Sequence, residues 1–395
     1  MKVKKYNFRK FCNDVHLWLG MASSIVLFVI CLTGTIFVFH TEIEKLLYPK
    51  WFKAQMDDGK KRSPDELIAT VENHTKGKVV IFTIPASPDE VWMFSVKNKP
   101  ANAGMPVQQV SPTPAMGNAE DAAQEKNKIY YVDPYTGEIT GVDKSPAGEF
   151  FRTVEDIHRW FFVGKPVGKT IGGTAAIIFV LLIISGIVIW WPRKIKHWKE
   201  GFKIKFSARW KRVNYDLHRA LGIYVFPVIL LSAITGPAWS FEWYRSGFSK
   251  LLGSEVLKKK EVKTKHPAAK AAPAETITYA RVLELADSCI KAQSITVVTL
   301  PAEKGAAISI AKTHVGFLNL SAIDKIQIDP STGTVLKTML FSHLTISAKI
   351  ATSFRAIHVG EIFGSLSKII YFIACLLATS LPISGILVWY NKWKK

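Results

Sequence analysis

Four apolar runs stand out along the chain, near residues 17–39, 170–191, 218–241 and 366–390. Each is long enough to cross a bilayer, which takes about 20 apolar residues in a helix. Between them the pattern changes. SPDELIATVENH (63–74) and ETITYARVLELADS (275–288) carry helical periodicity, and shorter runs alternating apolar with polar positions follow each. KVVIFTI, VWMFSV and KIYYVD come after the first, and ITVVTL, AAISIA and KIQID after the second. A period of two is a strand signal. The pattern predicts a membrane α-helical plus α+β protein. It has four transmembrane helices in two tandem repeats, and each repeat has a helix-plus-antiparallel-sheet module in its long loop.

The repeat can be read residue by residue. NDVHLWLGMASSIVLFVICLTGTIFVF (13–39) and YDLHRALGIYVFPVILLSAITGPAWSF (215–241) share Asp-x-His, Leu-Gly and Thr-Gly. EDIHRWFFVG with SGIVIWWPRK matches RAIHVGEIFG with SGILVWYNKW, which aligns His158 with His358 and Ser185-Gly186 with Ser384-Gly385. The loops align on YVDPYTGEITG (131–141) and IDPSTGTVLK (328–337), where Pro and Gly supply a turn. Two consecutive copies of a two-span unit are related by a pseudo-twofold axis along the membrane normal. The expected organisation is a tail and first helix (1–41), a first outer module (42–157), a second helix (158–191) and a basic loop (192–217). A third helix (218–243), a second outer module (244–357) and a fourth helix with its tail (358–395) complete it. Residues 98–127 and 258–274 are low in complexity and read as linkers.

Charge sets the expected orientation. The chain has 395 residues and a net charge of +21. Much of the excess sits before the first span, between the second and third (Arg193 to Arg212), and after the fourth. With four spans these segments share one side, and the positive-inside rule makes that side cytoplasmic. Juxtamembrane basic residues need no nucleic acid, and none is expected as a partner. The first apolar run is too long for a signal-peptide core and reads as a retained anchor.

The chemistry centres on histidine. Ionisable residues at membrane depth are costly and usually functional. His16 and His218 fall at the cytoplasmic mouths of spans one and three, and His158 and His358 at the outer mouths of spans two and four. A pseudo-twofold axis brings equivalent residues face to face. One haem clamped by His16 and His218 and a second by His158 and His358 would each have two imidazole ligands, an arrangement suited to electron transfer. The four cysteines, Cys12, Cys31, Cys289 and Cys375, form no C-x-x-C-H attachment motif, so such haems would be b-type. The histidines could instead be interfacial hydrogen-bonding residues.

Other residues stay open between two roles. Gly34 and Gly236 lie eighteen residues, about 27 Å, beyond His16 and His218 on the same helix faces. They make room for a macrocycle or for close helix packing. Asp14, Asp156 and Asp216 precede three of the histidines by two positions, a spacing better suited to complementing a helix dipole than to orienting a ring. Arg152, Arg159, Arg219 and Arg355 lie near the same sites, as propionate partners or membrane-surface residues. His40 has no histidine counterpart, since Glu242 stands at its matched position.

These features together resemble the PepSY-associated transmembrane proteins. The resemblance rests on His16-x-Trp-Leu-Gly, Phe39-His40-x-Glu42-Ile43, Tyr48-Pro49, His158-Arg159-Trp160, Trp190-Trp191-Pro192-Arg193 and Leu217-His218-Arg219-x-Leu221-Gly222, and on the two Asp-Pro-x-Thr-Gly hairpins. It covers nearly the whole chain, with Trp-Tyr-Asn at the end of the last span where the second has Trp-Trp-Pro. It implies periplasmic PepSY-like modules and a bacterial inner-membrane protein linked to iron uptake. Two b-type haems would carry electrons to a ferric siderophore in the periplasm. No nucleotide-binding Gly motif follows a strand, so a quinol or a cytoplasmic reductase would donate the electrons. Two other readings remain: a binding or regulatory protein that modulates a protease through its PepSY modules, and a transporter. Four spans are few for a transporter, and none carries an acidic residue near its midpoint.

Overall fold

The computed structural model describes residues 7–56, 59–97, 127–143, 145–257, 277–291, 293–301, 303, 306–317 and 320–394. Of the two low-complexity stretches, all but Asn127 lies outside the described residues. The chain divides into two units. Residues 1–40, 150–257 and 350–395 form the helical one, and residues 41–149 and 258–349 the other.

The helical unit holds four helices long and apolar enough to cross a membrane: Phe8–Phe37, Lys165–Trp190, Trp210–Ser240 and Gly364–Trp393. They close into a ring in which the first and third spans each pack against both the second and the fourth. The two spans on each diagonal are therefore the repeat-related ones. Many buried positions are small, among them Ser24, Ala175, Ser185, Ala220, Ala374 and Ala378. Small side chains let backbones approach in a medium that supplies little hydrophobic drive between helices.

The repeat alignment starts the second and fourth helices at their histidines, ahead of the apolar runs at 170–191 and 366–390, and the structure separates histidine from span. His158 stands on a separate helix, Pro146–Trp160, and the second span begins at Lys165. Phe161 and Phe162 between them take positive φ values of 47° and 61°, which breaks the helix. His358 stands on Phe354–Val359, closed by Gly360 at φ 79°, and the fourth span begins at Gly364.

The other unit is one eight-stranded antiparallel sheet. Its strands are β1 (Lys78–Ile84), β2 (Trp92–Lys97), β3 (Asn127–Val132), β4 (Ile139–Val142), β5 (Ser294–Thr299), β6 (Ile308–His314), β7 (Ile323–Ile328) and β8 (Val335–Met339). The order is β4-β3-β2-β1-β5-β6-β7-β8. Each repeat contributes a four-stranded meander and a helix packed against it, Pro64–Thr75 or Tyr279–Cys289. Ser63 and Thr278 cap these helices by accepting from the backbone N–H three residues on. The meanders join through β1 and β5, with Phe82 opposite Val298. Alternate strand residues meet the helices in a core of Leu67, Val71, Phe82, Phe94, Val282 and Ile310. In the first hairpin turn, Asp133 accepts from the Tyr135 N–H at 2.8 Å, and Asp329 does the same for Ser331 in the second.

Candidate functional site: two opposed histidine pairs

The helical unit brings the four histidines together in two pairs. The His16 and His218 ring centroids are 6.3 Å apart with planes at 86°. The His158 and His358 centroids are 6.4 Å apart at 65°. The first pair joins the diagonal formed by spans one and three, and the second is carried by the short helices that precede spans two and four. His16 and Gly34, which sits against His158, are eighteen residues apart on one helix. The two layers are thus separated by roughly 27 Å along the span.

All four rings sit in the same kind of seat. His16 Nδ1 lies 3.0 Å from Ser185 Oγ, and His218 Nδ1 lies 2.9 Å from Ser384 Oγ. His158 Nδ1 lies 3.1 Å from Thr33 Oγ1 and 3.0 Å from the Ile30 carbonyl. His358 Nδ1 lies 3.0 Å from both Thr235 Oγ1 and the Ser232 carbonyl. The carbonyls of Leu182 and Leu381 complete the same arrangement for His16 and His218. Each seat is thus a backbone carbonyl with a hydroxyl residue three positions on.

A glycine follows each hydroxyl residue, at Gly34, Gly186, Gly236 and Gly385. A Cβ at these positions would lie 3.3, 3.2, 3.4 and 3.2 Å from Cε1 of His158, His16, His358 and His218 respectively. The four glycines make room for imidazoles. The Thr-Gly and Ser-Gly pairs were visible in the sequence as repeat markers, but that each forms a seat was not, because each serves a histidine on a different helix.

The seat fixes the tautomer. A carbonyl can only accept, and each hydroxyl already donates to a carbonyl of its own helix. Ser185 donates to Leu181 at 2.7 Å, Thr33 to Val29 at 2.6 Å, Thr235 to Leu231 at 2.8 Å and Ser384 to Leu381 at 3.1 Å. Nδ1 must therefore carry the proton, which leaves Nε2 with a lone pair. Desolvation pushes the His158 pKa below the ordinary imidazole value. It takes His358, which also feels His158, down to about 4.

This donor set fits a haem. Two imidazole nitrogens on one metal, each about 2 Å from it and about 1 Å from its ring centre, put the centroids about 6 Å apart. Among the described residues, no group of three or more His, Cys, Asp or Glu could hold a metal ion. Two imidazoles at this separation, with no such larger group among the described residues, suit a metal whose other positions a macrocycle fills. A cavity of about 260 Å³ adjoins the first pair, lined by His16, His218, Phe179, Gly222, Arg219 and Lys392 among others.

The remaining candidates fall elsewhere. Asp216 is buried and accepts from Arg212 at 3.0 Å, while Asp156 accepts from the Trp160 indole at 3.1 Å. Arg219 lines the cavity, donating to the carbonyls of Glu200 at 2.7 Å and Lys203 at 3.3 Å. Arg159 pairs with Glu155 and Arg355 with Glu361. His40 stacks on Phe37 at 4.0 Å, with Nδ1 2.8 Å from the Phe37 carbonyl, and belongs to neither pair. Trp239 adds an aromatic contact to His358, at 5.0 Å.

Fold and site define a four-span membrane protein whose bundle opposes two pairs of histidines of fixed tautomer. A family model described as the PepSY-associated TM region matches residues 14–392, and the chain belongs to that family. No curated relative matches it.

Proposed function

We propose that this protein carries electrons across the bacterial inner membrane to ferric iron, presented as a ferric siderophore at the periplasmic face. The observation that carries the reading is the twice-repeated imidazole pair, with Nδ1 tied down and centroids 6.3 and 6.4 Å apart. His16 with His218, and His158 with His358, would each hold one b-type haem. Such a haem, when bound, supplies a one-electron iron centre with no open coordination position.

The chain's own part is positional. The seats hold each ring in one tautomer and orientation, and a hydrogen bond to the far nitrogen of a ligating histidine raises its basicity. Between the two layers the bundle packs apolar side chains, Leu27, Val225, Ile229 and Ala378 among them. The basic segments support an orientation with both chain ends cytoplasmic, where a quinol or a cytoplasmic reductase would donate electrons, and the modules periplasmic. At the acceptor, one electron converts Fe(III) to Fe(II), and the hard oxygen ligands of the chelate then hold the ion less tightly.

The visible spectrum of the detergent-purified chain tests this. A Soret band and α-band that shift on reduction, at two haems per chain, support it, and a folded, colourless protein rejects it. A colourless protein would favour the alternative of a PepSY-type binding or regulatory protein, in which the sheet is the working part.

A further inference from the structure

The segment between the second and third spans stays against the helical bundle. A short 3-10 helix, Ile195–Phe202, turns back along its flank. The Phe202 ring packs on Trp190 at 5.0 Å, Trp198 at 5.7 Å and Tyr224 at 5.5 Å. The Trp190 indole N–H donates to the Gly201 carbonyl at 3.2 Å, and the Tyr224 hydroxyl donates to the Phe202 carbonyl at 3.3 Å. Tyr224 is six residues, roughly 9 Å, further into the third span than His218. These contacts fix the segment at the depth of the first histidine pair, beside the spans.

At that depth its surface has two characters. A 3-10 helix repeats every three residues, so Ile195 and Trp198 share one edge. They are 73% and 48% exposed, and Phe206 just beyond is 73% exposed. Around them Lys194, Lys196, Lys199, Lys203 and Lys205 are all exposed. Glu200 is the one acidic residue between positions 193 and 212. An exposed Trp, Phe and Ile beside a membrane span face acyl chains rather than water, while long lysine side chains reach from there to the headgroups.

We propose that residues 195–206 form an interfacial collar that buries its apolar edge in the leaflet and recruits anionic phospholipids around it. The depth set by Tyr224 and Trp190 selects lipid over an acidic protein surface, and the excess of lysine selects anionic over zwitterionic headgroups. This inference stands independently of the redox reading.

The full-length chain, reconstituted with equimolar phosphatidylcholine and phosphatidylglycerol, is re-extracted and its retained lipids are quantified. About fivefold enrichment of phosphatidylglycerol is expected, on the scale of one favourable lysine contact. A Lys196→Gln/Lys199→Gln/Lys203→Gln variant should return the ratio to near parity. Equal retention by the unmodified chain overturns the proposal. Quenching by phosphatidylglycerol brominated on its acyl chains, taken as the difference between the unmodified chain and Trp198→Phe, reads the depth directly. If Trp198 is not quenched, the collar faces water and its partner is an acidic protein, which also overturns the proposal.

Discussion

The two histidine layers reach nearly the same geometry by different routes. In the first, His16 and His218 belong to continuous spans, and their seats are the serines Ser185 and Ser384. In the second, His158 and His358 ride on separate helices that end before spans two and four, and the seats are the threonines Thr33 and Thr235. Centroid separations of 6.3 and 6.4 Å survive that change of backbone. The common element is the receiving helix, with its carbonyl, its hydroxyl three residues on and the glycine after that. The receiving surface, more than the helix that bears the ring, sets the geometry.

The largest effects should come from the rings. His16→Ala and His218→Ala should each remove one and the same haem equivalent of two, and His158→Ala and His358→Ala the other, read from pyridine haemochrome content. If the losses do not sort into these two pairs, the comparison between layers fails.

Filling space should come next. Gly186→Val and Gly34→Val place atoms against His16 and His158, whose Cε1 atoms already lie 3.2 and 3.3 Å from a Cβ position. Each should cost haem in its own layer only. Gly222 lines the first cavity, and a Cβ there meets nothing within 4 Å. Gly222→Leu should therefore empty the first layer with thermal stability little changed, which separates loss of haem space from loss of fold.

Smaller changes should follow from the hydroxyls. Ser185→Ala and Thr33→Ala each remove one of two acceptors for Nδ1. The expected loss of haem affinity is about tenfold, the low end for a group supporting a metal ligand. The reduction potential of the affected layer should move while the other stays put. Equal shifts in both layers would show that the seats do not act locally.

The smallest effect concerns protons. The folded state holds His158 and His358 below their ordinary pKa, so it binds fewer protons than the unfolded chain and is favoured above about pH 6.5. Haem-free protein should lose stability as pH falls from about 6.5 toward the His358 value of about 4. His358→Ala should reduce that slope, as measured by denaturant midpoints across the range.

Much of this was legible in the residues. The spans follow from apolar length and the strands from alternation. The pairing of His16 with His218 and of His158 with His358 follows from the duplication, because repeat symmetry relates positions without coordinates. The joining of the two modules through β1 and β5 was hidden, since an edge-to-edge strand pairing leaves no periodic mark on either strand. The breaks before spans two and four were also hidden: the repeat alignment runs each histidine on into its span, and the positive φ values of Phe161 and Phe162 that end the helix of His158 belong to the fold.

The sequence by itself determined the four-span repeat, the two kinds of unit and which histidines correspond, because periodicity and duplication are properties of one dimension. Tertiary structure alone decided what faces each ring. Thr33-Gly34 and His158 are more than a hundred positions apart, and a seat made of a carbonyl, a hydroxyl and the absence of a side chain exists only once two helices are side by side.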